Sequence, residues 1–230
     1  MKLEVEILQQ EYGNVLSGYA VLFSFRLLNL CVKSQPAILL PAAVQVKGMQ
    51  QTIEDVAKVG VRSEKLLDIY PFHEDLITPI GRAVAEIHPE LKQTIKTVPT
   101  EEQDKEFKYL QLTMPEVDDN RYKILMDGVD TFYDAAKAQI DAAKTKYVAS
   151  MEKEMFGQPK DAIDEARQAF DSLYNQHMDM IGKTADDKRK EIDEANQQYK
   201  EQQAQKEQSQ LEQMAAQGTD VVNQIKIPGA

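Results

Sequence analysis

The three histidines are the first residues of this sequence to test for metal or acid–base chemistry. His73 and Glu74 begin like the zinc-protease motif His-Glu-x-x-His, but Ile77 stands where the second histidine must be. The two ligands that this motif places on one helix face are therefore missing. His88 and His177 are isolated in the sequence, and an isolated histidine is usually a solvated or hydrogen-bonded side chain. The histidines predict no metal site.

Cys31 and the segment Gly182-Lys183-Thr184 are the remaining candidates for covalent or phosphate chemistry. A single cysteine cannot form an intramolecular disulfide or a zinc cluster, and it fits a reducing compartment. Cys31 lies among apolar residues without a histidine nearby in sequence, so we interpret it as a small buried hydrophobe. The Gly-Lys-Thr segment lacks the leading glycine of a phosphate-binding loop, because His177 occupies that position. We expect no catalytic residue, no cofactor and no metal.

The charge balance bears on the class of partner. The chain has 27 Lys and Arg against 38 Asp and Glu, a formal charge of −11, which argues against broad nonspecific binding to nucleic acid. The longest apolar stretch, residues 19–32, includes Arg26 and falls short of the roughly 20 residues that a membrane-spanning helix needs. The first residues also lack the pattern of a signal peptide. We expect a cytoplasmic protein without a membrane partner.

Three stretches predict long amphipathic helices, because their apolar residues recur at spacings of three and four. In the first, at about residues 4–30, the final turns are apolar nearly all round, which predicts burial on more than one side. The second begins at Val117-Asp118-Asp119-Asn120, a helix N-terminal signal. It breaks at Gly157-Gln158-Pro159, after which the third continues to Tyr199. The three stripes are Leu8, Tyr12, Val15, Tyr19, Leu22 or Phe23 and Leu27; Leu125, Val129, Phe132, Ala136, Ile140, Ala143, Tyr147 and Met151; and Ile163, Ala166, Phe170, Leu173, His177, Met180 or Ile181, Thr184, Lys188, Ile192, Ala195 and Tyr199.

Residues 32–117 have a different pattern, with seven of the nine prolines of the chain. Short β-branched runs bounded by turn residues predict strands at residues 43–46, 59–61, 66–69 and 109–112. One helix is predicted from Glu74 to Ala85, with Pro79 early enough to be tolerated. This segment is therefore predicted to be a small α/β unit.

The predicted fold class is α+β: a three-helix bundle with a small β/α/β domain inserted after the first helix. The bundle comprises residues 1–31 and 118–200, the inserted domain residues 32–117, and a polar C-terminal tail residues 201–230. The tail is either a projecting solvated helix or disordered. Two short connections, at residues 32–36 and 115–116, form a plausible hinge.

Several strings, in this order, resemble the ribosome recycling factors. They are Gln35-Pro36-Ala37-Ile38-Leu39-Leu40, Lys65-Leu66-Leu67-Asp68-Ile69-Tyr70-Pro71-Phe72, the stretch from Tyr109 through Pro115 to Arg121, and Ala136-Lys137-Ala138-Gln139-Ile140. The similarity covers about residues 5–200. It implies a protein that enters the ribosome after termination, contacts large-subunit RNA with its bundle, and acts with elongation factor G to separate the subunits. It also implies a hinge, for which we name Lys33, Pro36, Pro115 and Glu116.

The family's RNA-facing arginines are mostly replaced in this chain. Asp141 stands where one arginine is expected, and lysines at 144 and 146 stand where a pair is expected, so the planar guanidinium fork toward phosphate is lost. Acidity is also concentrated in residues 118–230, with 15 basic against 22 acidic side chains. The candidate RNA-binding residues are Lys33, Arg121, Lys123, Lys137, Lys144 and Lys146.

Two alternatives remain open. A diverged paralogue could keep this fold as a protein-interaction or regulatory module, with a protein partner on the acidic C-terminal helix. A coiled-coil structural protein would explain the last hundred residues but not the proline-rich segment. We expect the protein to be a monomer, both as a recycling factor and as a diverged paralogue.

Overall fold

The computed structural model describes residues 2–99 and 106–224 and has the predicted α+β architecture. Three long helices, α1 (Lys2–Leu28), α4 (Asp119–Glu154) and α5 (Lys160–Gln224), pack along one another, and the smaller elements lie between α1 and α4 in sequence. Among the described residues, no helix is both long and apolar enough to cross a membrane.

Local signals fix where α4 and α5 begin and end. Asp118 is the N-cap of α4, and its carboxylate accepts a hydrogen bond of 2.7 Å from the backbone N–H of Arg121. After α4 ends, Gly157 has φ +80°, a left-handed conformation that favours glycine, and α5 begins just after Pro159. The predicted break between these helices is therefore confirmed.

The bundle core is built from the predicted stripes. Every α4 residue of the predicted set is buried except Phe132, which is half-buried. At the centre, the ring of Tyr12 lies 5.3 Å from the rings of both Tyr147 and Phe170, measured between centroids, so all three helices contribute to one aromatic cluster. The core thus joins residues that are far apart in sequence.

The C-terminal turns of α1 are less buried than predicted. Val21 is 69% exposed and Leu22 is 39% exposed, so the expectation of burial on more than one side was wrong. Phe23 and Leu27 are buried in the core, whereas Val21 lines an open groove between α1 and α5, where Thr184 and Lys188 border it without covering it. Apolar composition predicted burial, but the number of packed neighbours decided it.

The inserted segment forms two antiparallel sheets. The hairpin of β1 (Ala43–Val46) and β2 (Met49–Thr52) turns at Lys47 and Gly48, both with positive φ. The second sheet has the order β3-β4-β6-β5, from β3 (Ala57–Ser63), β4 (Leu66–Pro71), β5 (Lys92–Pro99) and β6 (Glu106–Thr113). The four predicted strands are present. β2 and β5 were missed because both are largely exposed, so neither alternates clearly between apolar and polar residues.

Two helices accompany these sheets. The single-turn helix α2 (Ile53–Val56) begins at a capping box formed by Thr52 and Asp55. The Asp55 carboxylate accepts hydrogen bonds from the Thr52 backbone N–H and from the Thr52 hydroxyl. The predicted helix is α3 (Ile77–Ile87), preceded by a 3-10 turn at Glu74–Leu76, with Pro79 in its first turn. Its residues Ile80 and Val84 are fully buried in a second core, separate from that of the bundle.

Helix α5 continues as a solvated helix beyond the bundle. Of its residues up to position 214, the last buried ones are Ala195 and Asn196, and residues 204–214 are all exposed. The polar tail was predicted to be either helical or disordered, and residues 201–224 are helical. Residues 225–230 of the predicted tail lie outside the described residues.

Candidate nucleic-acid interface

The two lysines predicted as a pair, Lys144 and Lys146, lie on different sides of α4. They are two positions apart, which is about 200° around an α-helix. Lys144 Nζ lies 2.8 Å from Asp171 Oδ1 on α5, and 4.1 Å from the centroid of the Tyr174 ring. Its charge is therefore already partly neutralised within the bundle.

Lys146 lies on the opposite side, toward α1. Gly128, which is 18 residues or about five turns earlier on the same line of the helix, faces Leu30 just after α1. The Lys146 ammonium is exposed, lies 5.2 Å from the centroid of the Tyr147 ring, and makes no ion pair with any described residue. It is therefore available to an anionic partner in a way that Lys144 is not.

Lys123 and Lys137 share the α5 side of α4 with Lys144, because multiples of seven residues separate them. Both are exposed. Carboxylates are interspersed among them: Asp130 Oδ1 lies 2.7 Å from Arg189 Nη2, and Asp141 Oδ1 accepts a hydrogen bond of 2.7 Å from the Tyr174 hydroxyl. This side of the bundle therefore mixes both signs of charge and is not a basic stripe.

Arg121 has a structural contact. Its Nη2 donates a hydrogen bond of 2.8 Å to the backbone carbonyl of Cys31, and its Nε is buried with no hydrogen-bond partner among the described residues. Burial lowers the pKa of the Arg121 guanidinium, although Glu90 and Asp118 oppose that effect. The first turn of α4 is thus tied to the segment that leaves α1.

The two connections each pass from one core to the other within a few residues. Val32 is buried in the bundle core, whereas the Ser34 backbone N–H donates to Glu64 O, at the β3–β4 turn, over 2.8 Å. In the other connection, Met114 N donates to Lys65 O of the same turn, and Val117 is buried in the bundle core. Lys33 alone separates Val32 from Ser34, although Cys31, just before Val32, is already buried in the core of the inserted unit.

Pro115 and Glu116 separate the second pair. The Glu116 carboxylate forms an ion pair of 3.1 Å with Lys65, so it is linked to the β3–β4 turn. Pro36 begins the 3-10 turn Pro36–Leu39 and lies beyond the Ser34 anchor, on the side of the inserted unit. The narrowest points between the two cores are therefore Lys33 and the Pro115-Glu116 pair.

Sequence reasoning missed a cluster next to the first connection. Cys31 is buried as expected, but its Sγ lies 3.6 Å from Nδ1 of His88, which is also buried and comes from the turn after α3. His88 Nδ1 is 3.1 Å from Glu90 Oε1, and His88 Nε2 is 2.9 Å from Ile38 O. Burial lowers the pKa of His88, but the hydrogen bonds with Cys31 and Glu90 outweigh it and raise the pKa to about 10. Fifty-seven residues separate Cys31 from His88, so no local motif could have revealed the pair.

Comparison with known proteins identifies the family. The family model described as "Ribosome recycling factor" matches residues 27–192, which is more than half of the chain. The protein belongs to the ribosome recycling factor family. This family consists of translation factors without enzymatic activity, and the match includes both connections and the whole inserted segment.

Solved structures show the same fold. A solution structure of the ribosome recycling factor aligns with a TM-score of 0.65 at 17% identity, covering 82% of this chain and 97% of that one. A model of the T. thermophilus ribosome recycling factor with the E. coli elongation factor G on the E. coli post-termination complex aligns with a TM-score of 0.54 at 14% identity, covering 82% and 98%. No curated protein matches this chain by sequence.

Proposed function

We propose that this protein binds the ribosome after termination and, together with elongation factor G, promotes separation of the subunits. The observation that carries the proposal is the family match, which extends over both connections, the whole inserted unit, and α4 and α5 as far as residue 192. The relative bound to the post-termination complex with elongation factor G is covered over 98% of its length, so this chain has a counterpart for nearly every part of that relative.

The proposed mechanism is binding followed by a hinged displacement, with no covalent step. The bundle binds large-subunit RNA, and the inserted unit swings about Lys33 and the Pro115-Glu116 pair. The support for this pivot is that each connection has an anchor to the bundle core and an anchor to the inserted unit within a few residues of each other. Cys31 precedes Lys33 but is buried in the core of the inserted unit, so its side chain would have to move with that unit. Few φ and ψ angles would then have to change.

The RNA contact is proposed to depend unequally on the candidate lysines. Lys146 is exposed and without an ion pair among described residues, so it can approach a phosphate without breaking an ion pair. Lys144 must first leave Asp171, which lies 2.8 Å away. Lys123 and Lys137 contribute from the same side as Lys144, among carboxylates that reduce the local potential.

Sedimentation with ribosomes tests the proposal. The purified protein is centrifuged with ribosomes through a cushion at low and at moderate salt, and we expect it in the pellet at low salt at least. The double variant Lys144→Glu and Lys146→Glu should be released, and Lys146→Glu alone should weaken binding more than Lys144→Glu alone. Lys183→Glu is the matched control, because Lys183 is an exposed lysine on α5 outside the candidate set. Absence of the protein from the pellet at both salts would reject ribosome binding.

A subunit-splitting assay then tests activity. With elongation factor G and GTP, we expect light scattering from post-termination ribosomes to fall when the protein is added. If the protein binds but the double lysine variant binds equally well, the RNA face is wrong while ribosome binding stands.

A second candidate function is supported by the extension of α5. The family model ends at residue 192, whereas α5 continues to Gln224, and its glutamine-rich residues 204–214 are all exposed. A diverged paralogue would use this helix to dock a protein partner and would neither sediment with ribosomes nor split them. The same two assays therefore separate the two functions. We propose a cytoplasmic monomer in both cases.

A further inference from the structure

One face of the four-stranded sheet points away from both cores. The other face shares a core with helix α3 and the β1–β2 hairpin, and the side chains of Leu67, Ile69, Leu110 and Leu112 are buried there. Successive residues of a strand point to opposite faces, so the residues that alternate with these point outward. We call this outward surface the open face, and none of its residues belongs to either core. It consists of Lys58, Gly60 and Arg62 on β3; Leu66, Asp68 and Tyr70 on β4; Lys92, Thr94, Lys96 and Val98 on β5; and Phe107, Tyr109, Gln111 and Thr113 on β6.

The open face is basic, although the chain as a whole carries a formal charge of −11. Its cations are Lys58, Arg62, Lys92 and Lys96, and its one carboxylate is Asp68. Asp68 is buried and lies 2.6 Å from Arg62 Nε, so these two charges compensate each other. The three lysines are exposed and make no ion pair with a described residue. Three uncompensated positive charges therefore remain on the open face.

Aromatic rings occupy the middle of the open face, on the two central strands. Tyr70 on β4 and Tyr109 on β6 lie side by side, with their ring centroids 4.9 Å apart. Hydrogen bonds hold both hydroxyl groups, because Tyr70 donates to Asp68 over 3.2 Å and Tyr109 accepts from Arg62 over 3.1 Å. Tyr109 is buried, whereas Tyr70 and Phe107 are only half-buried. Two partly open rings thus lie among the lysines.

We propose that the open face binds single-stranded RNA. Proteins bind single strands by combining cations that follow the phosphates with aromatic rings on which the bases stack. Aromatic residues on the open face of a four-stranded sheet are a recurrent way of holding RNA bases. Lys58 pairs with Tyr70 and Lys96 pairs with Tyr109, so the two lysines flank the tyrosines from the edge strands. Three strand spacings, about 14 Å, separate them. A strand of several nucleotides can therefore contact both lysines while its bases reach the rings.

Single-stranded RNA fits the open face better than an acidic peptide or a duplex does. A carboxylate-rich peptide would use the lysines but would leave the Tyr70 and Phe107 rings without a stacking partner. A duplex keeps its bases stacked within the helix and would present mainly its backbone and groove edges. The family consists of translation factors, which work among RNA strands. This contact is additional to the one proposed for the bundle and does not depend on ribosome binding.

Fluorescence anisotropy with a labelled, unstructured RNA strand of about 12 nucleotides tests the proposal. The full-length protein is titrated into this RNA at low and at moderate salt, and we expect saturable binding that weakens as salt rises. An RNA duplex of the same length should bind at least about fivefold more weakly, because it offers no base for stacking.

Three results of this assay would overturn the proposal. They are no binding of the single strand at low salt, duplex binding as tight as that of the single strand, and competition by polyglutamate as effective as that by unlabelled RNA. The lysines would then be ordinary edge-strand charges that prevent pairing with another chain. Because the assay contains no ribosomes, its failure would leave the sedimentation test of ribosome binding unaffected.

Variants locate the contact on the open face. The double variant Lys58→Gln and Lys96→Gln should lower the slope of log affinity against log salt by about 1.4, since each phosphate contact on a single strand contributes about 0.7. Phe107→Leu keeps an apolar side chain but removes the ring, and it should weaken binding by about fivefold or more.

Lys47→Gln is the matched control, because Lys47 is an exposed lysine at the turn of the β1–β2 hairpin, outside the open face. It should bind as the unmodified chain does. An unchanged salt slope in the double lysine variant, or an equal loss of slope in Lys47→Gln, would overturn the proposal. Lys58 and Lys96 are exposed, so this result stands even if Phe107→Leu is unstable.

Discussion

Replacing Tyr12 by phenylalanine should stabilise the bundle. The Tyr12 side chain is fully buried, and its hydroxyl has no hydrogen-bond partner among the described residues. An unsatisfied buried polar group costs about 1–3 kcal/mol. Phenylalanine keeps the ring contacts with Tyr147 and Phe170, both at 5.3 Å between centroids, and removes only the hydroxyl. After a small loss for the vacated volume, we expect Tyr12→Phe to raise the free energy of unfolding by about 1 kcal/mol at pH 8.

The same substitution should change the response to alkaline pH. Burial, together with the charges of Asp171 and Asp141, raises the pKa of Tyr12 to about 12. The unfolded chain releases this proton near pH 10, so ionisation favours unfolding between pH 10 and pH 12. At pH 11 the tyrosine costs the folded state roughly 1.4 kcal/mol, one pKa unit's worth, which the phenylalanine variant does not lose. The advantage of Tyr12→Phe should therefore grow to about 2–3 kcal/mol at pH 11.

Urea unfolding followed by circular dichroism at pH 8 and pH 11 measures both effects. Tyr174→Phe is the matched control, because the Tyr174 hydroxyl donates a hydrogen bond of 2.7 Å to Asp141. The control should lose about 1–2 kcal/mol at pH 8. The reasoning is refuted if Tyr12→Phe is less stable than the unmodified chain at pH 8, or if its advantage does not increase at pH 11.

Two further predictions concern the helix ends. Asp118→Ala removes the N-cap of α4 and should cost about 1 kcal/mol of unfolding free energy, whereas Asp118→Ser should retain most of it; equal losses in urea titrations would show that the cap is not responsible. Removal of residues 204–230 should change the unfolding free energy by less than about 0.5 kcal/mol, since residues 204–214 are all exposed. A larger loss by thermal or urea unfolding would mean that this extension packs on the bundle.

The periodic parts of the fold could be predicted from sequence with good accuracy. Spacings of three and four residues identified the buried side of α4. Asp118 marked the start of this helix and Gly157 its end, because these signals act within a few residues. The edge strand β5 could not be found in this way, since it pairs on one side only and buries almost none of its side chains. An edge strand owes its place to hydrogen bonds with β6 and not to its own apolar pattern.

The candidate RNA-binding set shows a signal that was present but not used. A spacing of two residues places Lys144 and Lys146 on different sides of any helix, so the sequence already contained that separation. What it did not contain was the partner of Lys144. Asp171 belongs to the next helix, and only the way in which α4 and α5 pack brings the two charges to 2.8 Å.

The sequence by itself determined the α+β class, the three long helices, and four of the six strands, because each depends on residues close together along the chain. Tertiary structure alone decided which charges are paired, where the connections are anchored, and that Cys31, His88 and Glu90 meet. The physical reason is distance: buried polar groups must find partners wherever the fold brings them, and the partners of Cys31 and Arg121 lie dozens of residues away in sequence.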